Sequence, residues 1–198
     1  MVIQQKKIVL NNPKIKQMKN IFFVLCFLVT LSCKAQQQIF SINAGGWPIE
    51  GAYYKDLDNE LNQFEGTWKG AFNYQIFNIT FSKYKDYNST GNYYEDRLAG
   101  KYKMLDANGI LELYSTYNLP DNNAKVTSLG FVEGTNKTKL RLLFADNCIE
   151  GEIHISFENP QKTQMRWKYF TKQELVVDDS DCAPINEMPG GEFILTKQ

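Results

Sequence analysis

From residue 66 onward the chain alternates apolar and polar side chains, and turn residues interrupt the alternation at near-regular intervals. Within 75–81, Phe77, Ile79 and Phe81 share one face and Asn78 and Thr80 the other, the period of a strand with one buried side. The clearest case is 149–157. Its odd positions are Ile149, Gly151, Ile153, Ile155 and Phe157, and its even positions are Glu150, Glu152, His154 and Ser156. Asn159-Pro160-Gln161-Lys162 then turns the chain into 165–169, which alternates again. The Asn108-Gly109 step between 97–105 and 110–117 supplies the positive φ that a tight hairpin turn requires. Gly134-Thr135-Asn136-Lys137 separates 126–132 from 139–145. With 67–72 at the head and 192–196 at the end, the pattern predicts nine strands and no long helix. A helical turn is expected at 54–61, where Leu57 and Leu61 lie four apart.

Such a series reads as all-β, a barrel or a sandwich, and a single antiparallel barrel of about 8–10 strands fits it best. The barrel domain is expected over 51–198, long enough to bury about two-thirds of its unfolded surface.

The start of the chain is different. Ile21 to Leu31 is an uncharged run of 11 residues, preceded by Lys19 and followed by small residues. A membrane-spanning helix needs about 20 apolar residues, so the run is read as a secretory signal rather than a permanent span. Residues 1–17 show no periodicity and are read as an upstream extension, 18–35 as the signal peptide, and 36–50 as a tether and irregular lead-in loop. Thr30-Leu31-Ser32-Cys33 is similar to a bacterial lipobox, which makes Cys33 the expected lipidation site. The competing reading is ordinary cleavage after Ala35. The first gives a periplasm-facing lipoprotein held to the membrane by its lipid alone; the second gives a soluble periplasmic or secreted protein.

Of four cysteines, Cys26 lies in the apolar run and Cys33 at the cleavage region. Cys148 and Cys182 remain, and in an exported domain they are expected to form one disulfide. Charge narrows the partners. From Cys33 onward there are 17 basic and 22 acidic side chains, a balance that argues against nucleic acid.

Phe64-Glu65-Gly66-Thr67-Trp68-Lys69-Gly70 resembles the opening strand of lipocalin-like (calycin) barrels, where Gly-x-Trp closes one end. The resemblance gives Gly66 and Trp68 a structural role. It also implies a later basic residue packed on the Trp, for which Arg166 and Arg141 are the candidates, with no motif to choose between them. A broader resemblance covers the leader from Met18 to Gln36, Gly51 to Leu61, the Gly-Thr-Trp-Lys strand and the ending from Glu192 to Lys197. Together these look like an uncharacterised family of small exported proteins of Bacteroidetes such as flavobacteria. That lineage associates acidic residues after the lipidated cysteine with surface export. Lys34-Ala35-Gln36 has none, which implies the periplasmic face.

No residue set points to catalysis or to a cofactor. The single histidine, His154, shares a polar strand face with Glu150, Glu152, Ser156 and Glu158, the composition of a solvated outer face. Asp178-Asp179-Ser180-Asp181 lacks calcium-loop spacing and is read as an exposed acidic loop, so no metal site is expected. Beyond the leader lie 10 Phe, 11 Tyr and 3 Trp. They either line a cavity for a small apolar ligand or fill the barrel of a structural or protein-binding envelope component. A non-catalytic protein is expected in both cases.

Overall fold

The computed structural model describes residues 37–146, 149–171 and 188–198. Cys33, Cys148, Cys182 and the acidic run 178–181 lie outside these residues. Within Gln38–Gln198, which fold as one unit, eleven strands are formed. They are β1 (Ile39–Ser41), β2 (Tyr53–Lys55), β3 (Gly66–Phe72), β4 (Gln75–Asn88), β5 (Tyr93–Leu105) and β6 (Glu112–Ser115). There follow β7 (Val126–Phe131), β8 (Lys139–Asp146), β9 (Ile149–Phe157), β10 (Gln164–Thr171) and β11 (Gly191–Lys197).

Eight of them close a barrel. The order β3-β4-β5-β7-β8-β9-β10-β11 returns to β3, each pair antiparallel, with Thr196 opposite Lys69 at one closure and Gly100 opposite Val126 at the other. This is the closed up-and-down meander of a lipocalin-like barrel. It follows from the sequence because each hairpin joins neighbours and each strand has one apolar face that only an interior can bury. Phe77, Ile79, Leu98, Tyr102, Leu140, Leu142, Ile153, Ile155, Met165, Trp167 and Leu195 point inward and are fully buried.

β5 carries most of the connections. One edge pairs with β4 along thirteen residues. Its other edge meets β2 at Tyr94, β7 at Ala99 and Gly100, and β6 from Lys103 to Leu105. Between β6 and β7 the Thr116 hydroxyl accepts from Tyr102 N (2.8 Å), and Thr116 N donates to Tyr102 O (2.8 Å). The two strands therefore act as one strand interrupted by the excursion 117–125. Beyond the reach of β3 and β7, the far parts of β4 and β5 continue as a two-stranded ribbon, flanked by β1 and β2 running parallel to β5.

Three expectations change. β1 and β2 occupy stretches read as lead-in loop and helical turn. Each is three residues long and is held by the edge of its neighbour, so neither needs a hydrophobic period of its own. The helical turn at 54–61 is absent. A 3-10 turn forms at Leu61–Phe64 instead, and Leu57 is exposed where Leu61 is buried. The strands number eleven rather than nine, because both short strands join the sheet.

Gly100 sets how closely the seam packs. A β-carbon there would lie 2.8 Å from the Phe81 ring and 3.0 Å from both Ile79 Cδ1 and Val126 Cβ. All three neighbours are buried. Gly100→Ala is expected to destabilise the fold by about 1–3 kcal/mol through overpacking, read as a lower urea midpoint with unchanged slope.

Candidate functional site

The barrel has two unlike ends. At the end where β3 begins, the 3-10 turn acts as a plug: Leu61 and Phe64 are buried, and the Phe64 ring stacks on Phe157 with centroids 4.7 Å apart. Trp68, buried at this end, donates its Nε1 hydrogen to Phe64 O (2.9 Å). Gly66 has φ +106°, a conformation that favours glycine, and a β-carbon there would lie 3.2 Å from Lys197 Cε. The basic partner of Trp68 is Lys197, whose Nζ stands 5.2 Å from the ring centroid. Neither Arg166 nor Arg141 takes that place. Arg166 bridges Glu158 and Glu192, and Arg141 pairs with Glu152. The correction comes from register: Lys197 lies opposite Trp68 where β11 meets β3.

A polar network ties the plug to the barrel. Asp56 and Asp96 are both buried. Asp96 accepts from the Tyr53 hydroxyl (2.5 Å) and from Asp56 N (2.9 Å). Asp56 in turn accepts from Glu60 N (2.8 Å) and Leu61 N (3.0 Å), and Lys83 Nζ lies 3.3 Å away. Those bonds to Asp56 replace the first turn of a helix, which is why no helix forms over 54–61. The Tyr53 hydroxyl is pushed well above its ordinary range by burial and by the hydrogen bond and charge of Asp96. It remains a donor at neutral pH. Both carboxylates are committed to holding backbone and cation, so the cluster is a tie rather than a reactive centre.

Among the described residues the opposite end is open. There Phe72, Gln75, Met104, Leu113, Tyr114, Met188 and Pro189 line a cleft of about 150 Å³. Around it Tyr74, Ile110, Leu111 and Leu113 are exposed, Tyr74 at 94 % and Ile110 at 84 %. The turn beneath them is well made: Asp106 accepts from Ile110 N (2.7 Å) and Leu111 N (3.1 Å). These bonds, chiefly that from Ile110, hold its carboxyl below the usual range.

His154 lies on the outer face, as its strand pattern implies. Its Nε2 is 2.6 Å from Glu152 Oε1, and its ring meets Phe170 edge-on at 4.9 Å. Glu158 stands apart, with Arg166. Among the described residues no three His, Cys, Asp or Glu side chains converge as a metal site requires, and no helix is long and apolar enough to cross a membrane.

A family model matches residues 18–198. The chain belongs to the family of unknown function DUF6705. No curated protein and no solved structure matches it. For this DUF6705 protein the chemistry must therefore be argued from its own side chains.

Two substitutions test the energetics. Asp56→Ala leaves two backbone donors and Lys83 without their acceptor, and is expected to lower stability by about 3 kcal/mol in denaturant titration. On the outer face, hydrogen bonds from Arg166 hold the Glu158 and Glu192 carboxyls below their ordinary values. A depressed carboxylate adds stability above its unfolded-state pKa and loses it as pH falls through the folded-state value. Wild type is therefore expected to exceed Arg166→Met in stability at neutral pH, with the difference gone by about pH 2.

Proposed function

We propose that this protein is a non-catalytic lipoprotein of the cell envelope, anchored through Cys33, whose filled barrel presents its open end to a protein partner. The observation that carries this reading is the occupied interior. Trp167, Phe77, Tyr102 and Phe144 form a chain of ring contacts across the barrel, with Phe77 touching Tyr102 at 5.7 Å and Trp167 at 5.2 Å, and Trp68 is buried at the plugged end beside Phe157. The cleft at the open end, about 150 Å³, is well below the roughly 300–1,000 Å³ of sites that enclose a small molecule. It has the size of one or two apolar side chains. The exposed Tyr74, Ile110 and Leu111 beside it extend that surface outward.

A second reading, a small apolar ligand held within the barrel, draws support from one atom. Trp167 Nε1 is buried with no hydrogen-bond acceptor among the described residues. A ligand carrying one acceptor would satisfy it. Titration with fluorescent fatty acids and retinoid-like probes decides between the two. The interaction reading predicts no saturable one-to-one binding, and a stoichiometric complex that changes the emission of the buried tryptophans supports the ligand.

The open end also supports a Cys148–Cys182 disulfide. β8 ends at Asp146 and β9 begins at Ile149 there, and Thr171 of β10 lies opposite Gly151. Tyr169 lies opposite Gly191, where β11 starts, so the described residues that flank the two cysteines in sequence lie at one end of the barrel. Thiol labelling of the exported protein is expected to modify neither residue without reductant. Labelling of both in the folded protein rejects the bridge.

A further inference from the structure

The ribbon of β4 and β5 ends on the side of the plug, away from the open end, and the described chain starts at its tip. Gln38 O accepts from Tyr53 N (2.8 Å), and Ile39, Tyr53, Tyr94 and Tyr87 follow one another in a single cross-strand row. The return from β1 to β2 is fastened at the same place. Gly51 N donates to Asn92 O (2.7 Å), and Ile49 N donates to the Tyr54 hydroxyl (3.0 Å). Beside the polar turn 88–92, four large apolar or aromatic side chains are open to solvent: Ile39 is 55 % exposed, Ile49 47 %, Tyr87 49 % and Trp47 94 %. Trp47 has no role in the core, since Trp68 and Trp167 are the fully buried tryptophans.

We propose that this tip, with Trp47, Ile49, Ile39 and Tyr87, rests in the interfacial layer of the bilayer, so that the barrel stands on its ribbon and its open end faces away from the membrane. The inference rests on the anchoring at Cys33 proposed above. Four residues lie between Cys33 and Gln38, and the five Cα steps reach at most about 18 Å. β5 alone runs about 40 Å from the tip to the open end, so a lipid on Cys33 brings the tip to the membrane and leaves the open end out of reach. Tryptophan and tyrosine favour the level of the headgroups, where an apolar ring and a polar edge are both satisfied. A single lipid site leaves orientation undetermined, and a second, weaker contact from the tip fixes it.

The protein carries its own reporter, because Trp47 is the exposed tryptophan. The acylated full-length protein is placed in vesicles of phosphatidylethanolamine and phosphatidylglycerol, with and without lipids brominated on the upper acyl carbons. Bromine is expected to quench the solvent-exposed part of the emission, and Trp47→Phe is expected to abolish the quenching while the buried tryptophans still report a folded core. A tryptophan moved to the open end, Tyr74→Trp in the Trp47→Phe background, is expected to be unaffected. Acylated protein bound to vesicles with no quenching of Trp47, or with quenching at position 74 instead, overturns the orientation and leaves the anchoring intact. Intact mass without an acyl group, with the protein absent from the vesicles, overturns both.

Discussion

The bond from Trp68 Nε1 to Phe64 O joins the first barrel strand to the plug that lies across it. Phe64 then stacks on Phe157 of β9, and Lys197 of β11 covers the Trp68 ring. Strands from opposite sides of the barrel are held through one tryptophan. Its donor is satisfied and its face carries a cation, so the group that fills this end has no polar debt to water. The remaining interior is filled from there. Trp68 lies opposite Ile79, Ile79 opposite Tyr102, and the Phe77 ring connects Tyr102 to Trp167.

Filling the barrel moves the question of function to its ends. The plugged end is tied by Asp56 and Asp96 to Tyr53 and Lys83, across elements 27 to 43 residues apart in the chain. Its polar groups are spent on structure. At the open end the hairpin tips carry the exposed Tyr74, Ile110 and Leu111 beside a small cleft. Membrane attachment near the ribbon and recognition at the opposite mouth are consistent with one another, since each uses the end the other leaves free.

The strands were legible because each has an apolar face of period two. Phe77, Ile79 and Phe81, and Gly151, Ile153 and Ile155 of β9, are buried as their spacing implies. Gly66 and Trp68 were legible through their resemblance to a known barrel opening. What the sequence hid depends on contacts between distant segments. β1 and β2 exist because β5 offers an edge, and no pattern within three residues announces that. Lys197 was missed because only the register of β11 against β3 brings it to Trp68. Asp56 reads as one more acid in a polar stretch, and only the fold shows it buried beneath Lys83 and the plug. The alignment of β6 and β7 as one interrupted strand was hidden for the same reason: Tyr102, on another strand, holds Thr116 between them.

The account turns on an interior closed by its own side chains. A crystal structure of the protein purified from its native host tests this most directly. The predicted result is continuous side-chain density with Phe77 in contact with Tyr102 and Trp167, and Trp68 packed beside Phe157, with nothing elongated between them. An extended ligand density within the barrel, with Trp167 or Tyr102 turned aside to make room and an acceptor on Trp167 Nε1, contradicts it.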